Sequence, residues 1–168
     1  MPLQATITQS GTWAKGIVVF FSAMVPLIEN KGSIILAAAL NLKWYIAYLG
    51  TTIGTFLPVP FLLRNSRKKL AGLRRFGPIS AIMAHVDAFA KKHAAFLHRR
   101  GCMALALIIS IPFTGIGSWA GVLLADILKL DPKRAAVAIF AGVVVSGFLT
   151  TVGVYGLFLG VRQLLHFW

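Results

Sequence analysis

The sequence predicts an all-α integral membrane protein. It should be built as two inverted repeats, each a re-entrant helical hairpin plus a transmembrane helix, with a cytoplasmic amphipathic helix between them. Three observations predict this. Of 168 residues, 58% are hydrophobic and only 12% are charged, with a mean hydropathy of +0.81; a soluble domain would be about a quarter charged. Two pairs of apolar runs are each broken by a turn-forming stretch, and single runs are too short to span. Gly16–Ile28, 13 residues, reaches about 20 Å as helix against a hydrocarbon core of about 30 Å. Finally, the basic residues fall in two clusters, Arg64–Arg100 and Lys129–Arg134, whose placement fixes a topology.

The first repeat should occupy residues 13–63. Met1–Thr12 reads as a short polar surface segment, followed by Trp13 and Lys15 as interfacial anchors. The apolar run Gly16–Ile28 meets Pro26-Leu27-Ile28-Glu29-Asn30-Lys31-Gly32, and Ser33–Leu42 returns. Glu29 is the only glutamate in the chain. An ionisable residue in membrane-type sequence is costly and marks a functional site by default. The bland alternative is a surface loop between two short helices. Trp44–Leu63, 20 residues, is long enough to span, with Trp44, Tyr45 and Tyr48 at one interface. Gly50 and Gly54 are spaced as a small-residue contact face, and Pro58-Val59-Pro60 should kink or end the helix.

Residues 64–100 should be cytoplasmic, with ten Lys and Arg against the single acid Asp87. Within them Pro78 opens a stretch in which Ile79, Ile82, Met83, Val86, Phe89, Phe96 and Leu97 recur at helical period. The expected amphipathic helix, 78–99, either lies on anionic lipid or packs on the protein's own inner face. The second repeat should occupy 102–161. Cys102–Phe113 and Ser118–Leu130 flank Thr114-Gly115-Ile116-Gly117. One crossing by Cys102–Leu130 would put Lys129–Arg134 outside, against the positive-inside bias, whereas a hairpin keeps both basic clusters inside. Ala135–Val161 then spans. The two broken tips should meet near the midplane, as in secondary transporters.

Composition also excludes. The length allows one membrane domain over 1–168 and no separate soluble domain. A single cysteine, Cys102, forbids an internal disulfide or a cysteine metal cluster, and the four histidines lack metal-ligand spacing. The net charge of +13 would suggest nucleic acid in a soluble protein. Lying between apolar blocks, it points instead to membrane lipids, with anionic headgroups at the cytoplasmic face, and to no nucleic acid. No catalytic or cofactor pattern is present, so an enzyme is not expected. No basic segment precedes Gly16–Ile28, which should therefore be retained rather than cleaved. The sequence admits a homo-oligomer.

Three stretches carry a family resemblance: Glu29-Asn30-Lys31-Gly32; Gly54-Thr55-Phe56-Leu57-Pro58-Val59-Pro60-Phe61; and Ile111-Pro112-Phe113-Thr114-Gly115-Ile116-Gly117-Ser118-Trp119-Ala120-Gly121. Together, over roughly Phe20 to Gly153, the chain resembles the small multidrug export protein family, itself distantly similar to the DedA (SNARE-associated, VTT-domain) membrane proteins. Lys31 stands where the family favours arginine, and Thr55 where it favours asparagine. The DedA likeness implies paired re-entrant hairpins in an inner membrane and proton-coupled handling of polyprenyl phosphate or other lipids.

Candidate substrate- or proton-binding residues are Glu29, Lys31, Gly32, Thr55, Pro58, Pro112, Gly115, Gly117, Ser118 and Trp119. Glu29 has three readings: a cation or proton site, a pair with Lys31 that opens on protonation, or a structural salt bridge. Lys31 opposes a second cation nearby. At the other tip, glycines let backbone amides approach a ligand, and Ser118 would open the return limb, where a helix N-terminus favours an anion such as phosphate. Tight packing of those glycines, and of Trp119, is the plain alternative. Asp126 should pair with Lys129 or Arg134. The expected activity is transport of a small amphiphile or lipid phosphate, proton-coupled through Glu29. Lipid scrambling, cationic drug export and a non-transporting membrane scaffold are the alternatives. A cysteine placed at Ser66 should resist labelling from outside intact cells; robust labelling there would reverse the topology.

Overall fold

The computed structural model describes residues 2–64, 77–112 and 114–166. Part of the basic segment, 65–76, lies outside the described residues, as does Phe113. Among the described residues there are nine helices and no strand: α1 Pro2–Ala23, α2 Glu29–Ala39, α3 Trp44–Phe56, α4 Pro58–Leu63, α5 Gly77–Lys92, α6 Ala94–Arg100, α7 Cys102–Ser110, α8 Ser118–Ile127 and α9 Pro132–His166. Two stretches are long and apolar enough to cross a membrane, Trp44–Leu63 and Pro132–Leu157. Their outward residues are large and apolar; Leu49, Ile53, Phe61, Val137, Phe148 and Val152 are all more than half exposed. That pattern suits lipid rather than water. The chain folds as two compact units, Met1–Thr55 with Gly147–Trp168, and Phe56–Ser146.

In the first unit α1 and α2 form an antiparallel hairpin. Near the turn, Ser22 Oγ and Ser33 Oγ lie 2.7 Å apart. At the open end, Lys15 Nζ donates to the Leu40 carbonyl at 3.0 Å. α1 begins at Pro2, so residues 2–12 of the expected surface segment are helical. Nothing in Leu3–Thr12 breaks a helix except Gly11, and a polar composition does not by itself prevent one. Met24–Ile28 then interrupt the helix, with Leu27 and Glu29 at φ +82° and +46°. Two bulky residues in the left-handed region within three positions are a strained turn. α2 ends in a Schellman motif: the Leu42 N–H reaches the Ala37 carbonyl, the Asn41 N–H reaches Ala38, and Asn41 takes φ +55°. α3 returns along the hairpin. A Cβ on Gly54 would sit 2.5 Å from the Phe20 carbonyl oxygen, so this backbone contact requires glycine. Gly50, the other half of the expected contact face, has nothing within 4 Å.

In the second unit α7 and α8 likewise run antiparallel. Ile109 near the end of α7 meets Gly121 early in α8, and Gly101 before α7 meets Leu130 after α8. α8 also stops in a Schellman motif, with Leu130 bonded to Ala125, Lys129 bonded to Asp126, and Lys129 at φ +52°. Asp131 then caps α9, accepting the Arg134 N–H at 3.0 Å, with Pro132 at the first helical position. The start of α9 packs on α7 through Gly142, where a Cβ would sit 2.9 Å from the Ala106 carbonyl oxygen. α4 opens with Pro58 and packs on α8.

The stretch expected as one amphipathic helix is two helices. They break at His93, whose ring stacks on Phe89 and whose Nδ1 lies 3.1 Å from the Phe89 carbonyl. α5 packs on α8 and α6 on α7. Val86, Ala90 and Leu97 are buried there in one apolar core with Leu105, Ile109, Val122, Leu124 and Ile139, while Phe96 is exposed. Lys91, Lys92, His98, Arg99 and Arg100 face outward.

Gly54→Val should lower the unfolding temperature of the detergent-solubilised protein, at a cost of about 1–3 kcal/mol from overpacking. Gly50→Val should leave it nearly unchanged, and equal effects at the two positions would refute the close approach.

Candidate functional site

The expected site residues fall into two groups, one in each unit. Glu29, Lys31, Gly32 and Thr55 belong to the first. Pro58, Pro112, Gly115, Gly117, Ser118 and Trp119 belong to the second.

In the first group Glu29 opens α2 and is only 7% exposed. A carboxylate in the first turn is favoured by the helix dipole. Lys31 is half-buried, and the two side chains interact electrostatically. Gly32 is half-buried against Ile28. Thr55 is buried and donates its hydroxyl to the Ala23 carbonyl at 3.2 Å. That carbonyl belongs to the last turn of α1, where no helical N–H follows to receive it. Thr55 thus holds the turn that presents Glu29.

The first unit also buries a set of polar residues that sequence reasoning missed: Asn30, Ser33, Thr51, Thr52, Thr150 and Thr151. Some are satisfied within their own helix. Thr51 donates to the Tyr48 carbonyl at 3.3 Å and Thr151 to Gly147 at 2.8 Å. Ser33 is held by Ser22, which also bonds to the Val19 carbonyl. Thr52 Oγ1 is buried with no hydrogen-bond partner. A signal was present: Thr51, Thr52 and Thr55 share one helical face, and Thr150-Thr151 interrupts an apolar run.

In the second group Pro112 is half-buried in the break between α7 and α8. Thr114 ties that break, donating to the Ile111 carbonyl at 3.3 Å and accepting the Ile116 N–H at 3.4 Å. Gly115 has φ +77° and is exposed, and the His85 ring of α5 packs on it; a Cβ there would lie 3.0 Å from Nε2. Glycine is thus required twice over at this position. Gly117 is buried, Ser118 opens α8 at 1% exposure, and Trp119 is half-buried. Pro58 opens α4 beside the same helix. Apart from Ser118 and Ser146, this unit's buried side chains among the described residues are apolar. Among the described residues, no three His, Cys, Asp or Glu side chains come together, so the donors present do not form a metal centre.

A buried carboxylate beside an amine at a strained turn, in a unit that buries several hydroxyls, can hold or release a proton and can orient a polar group. Residues 29–149 match the model of the family described as "Putative small multi-drug export protein". Searches of curated proteins and of solved structures gave no match. The match covers most of the chain, from the first residue of α2 into α9, and the chain belongs to that family.

Thr55→Val keeps the shape but leaves the buried Ala23 carbonyl without its side-chain donor, which should cost about 1–3 kcal/mol of stability. Chemical or thermal unfolding measures it, and an unchanged protein would show that the bond does not hold the turn.

Proposed function

Because the chain belongs to the small multi-drug export family, we propose that it is a proton-linked exporter of a small amphiphile or lipid phosphate, with its working centre in the first unit around Glu29. It is built as two inverted-topology repeats with re-entrant hairpins in an inner membrane, residues 64–100 facing the cytoplasm. One shift relates the two repeats. Moving Asn41 onto Lys129 (129 minus 41, or 88 positions) also carries Leu42 onto Leu130, Trp44 onto Pro132 and Gly54 onto Gly142. Both hairpins therefore stop with the same bonds, resume three residues later, and receive the long helix through a glycine on a carbonyl of their first limb. Inversion is supported by the basic clusters, which put the open end of the second hairpin inside.

The observation that carries the proposal is a difference between corresponding positions. Under the same shift Thr51 and Thr55 fall on Ile139 and Val143, while Thr150 and Thr151 fall on Leu62 and Leu63, all of them buried. The architecture packs well with apolar residues at these places. Thr55 is used by the fold to hold the Ala23 carbonyl, but the buried hydroxyls of Thr51, Thr150 and Thr151 are not required at these places, and they lie in the same unit as the buried carboxylate Glu29. A non-transporting scaffold has no use for such an interior. An uncoupled scramblase has no use for Glu29. Between the two cargo classes, Lys31 beside Glu29 favours an anionic headgroup over a cationic drug.

In proteoliposomes with an imposed pH gradient, Glu29→Gln should abolish coupled transport while the protein stays folded. Lys31→Ala removes the cation beside Glu29, and the pH profile of coupled transport should move relative to wild type. Each pH unit of that movement corresponds to about 1.4 kcal/mol. In competition binding, polyprenyl phosphate should outcompete a lipophilic cation. Normal coupled transport by Glu29→Gln would rule out the proton-linked role.

A further inference from the structure

The face of α2 next to Glu29 carries a polar pair that nothing above explains. Asn30, 2% exposed, projects toward α9, and Thr52 of α3, 6% exposed, projects toward the same point. That point is Gly147. A Cβ there would lie 3.1 Å from Thr52 Oγ1, 3.2 Å from Asn30 Nδ2 and 3.4 Å from the Tyr48 ring. All four residues belong to the first unit. A hydroxyl this buried with no partner is costly in an apolar interior. It needs a ligand that supplies a donor or acceptor, and the room beside a glycine hemmed in by three side chains is small.

We propose that Thr52 Oγ1 and the Asn30 amide bind a single water molecule beside Gly147. Water fits each requirement. It needs little space and two or more polar partners, which the hydroxyl and the amide provide. A charged ligand is disfavoured, since both groups are neutral. A bulkier headgroup would meet Tyr48, which is held edge-on by Phe148.

The test uses the purified full-length protein and needs no cargo. With the water bound, Thr52→Val removes one of its two anchors, and the unfolding temperature should fall by about 2–4 °C. Thr52→Ser keeps the hydroxyl and should stay closer to wild type than the valine variant. Gly147→Ala improves helix propensity but crowds the site, so it too should lower the unfolding temperature rather than raise it. An experimental map that resolves water should show density about 3 Å from both Thr52 Oγ1 and the Asn30 amide. An unchanged or raised unfolding temperature for Thr52→Val would mean a hydroxyl with no ligand and would overturn the proposal, as would a well-ordered map without that water. A hydrated protein that moves no cargo leaves this site intact and removes the transport reading. A coupled transporter stabilised by Thr52→Val does the reverse.

Discussion

A helix that ends inside an apolar medium leaves carbonyls and amides that no water can satisfy, and each costs several kcal/mol if left alone. Both hairpins of this chain satisfy backbone groups where their helices stop. α1 stops at Ala23, and its last carbonyl is met by a hydroxyl from α3. The α7–α8 break is closed on itself by Thr114, and α8 resumes with Ser118 buried at its start. The return limbs finish on the same pair of backbone bonds, 37–42 with 38–41 and 125–130 with 126–129. Only after those groups are satisfied can a glycine bring the next helix onto a backbone carbonyl, as Gly54 does on Phe20 and Gly142 on Ala106.

The two units solve the same packing problem with different chemistry. The second unit fills its interior with Leu105, Ile109, Ile116, Leu124 and Ile139, so side-chain shape alone specifies it. Among the described residues the first has a small apolar cluster, Val19, Ala37, Leu42 and Ala47, and adds hydroxyl-to-carbonyl bonds. A hydroxyl bonded to a carbonyl of its own helix is cheap to rearrange, whereas an interlocked apolar core is not. The unit that houses Glu29 is thus the one built from contacts that can exchange.

Much of the fold was legible because its signals are local. The turn-forming breaks around Pro26–Gly32 and Thr114–Gly117 marked the two antiparallel helix pairs, and Gly54 marked a close approach. The family, too, was readable from the stretches around Glu29, Pro58 and Gly115. What was missed leaves no clear pattern in the sequence. The helicity of 2–12 was hidden by polar composition. The break at His93 was hidden because a single ring stacking on Phe89 leaves no pattern. The threonines passed unnoticed because threonine is unremarkable in an apolar helix until a carboxylate is placed in the same unit. His85 gave no signal at all, since only the fold brings it to Gly115.

Each unit borrows the far half of a long helix: residues 56–63 join the second hairpin, and residues from Gly147 onward join the first. Tyr155 reaches back 113 positions to the Leu42 carbonyl. During synthesis, the second unit is a continuous stretch of chain and can close as soon as Ser146 emerges. The hairpin that carries Glu29 is made first yet completed last. Until α9 arrives, Asn30, Thr52 and the Leu42 carbonyl face whatever surrounds the nascent chain, and such long-range closure is slow. The polar interior of the first unit is therefore completed only by the last helix to be made.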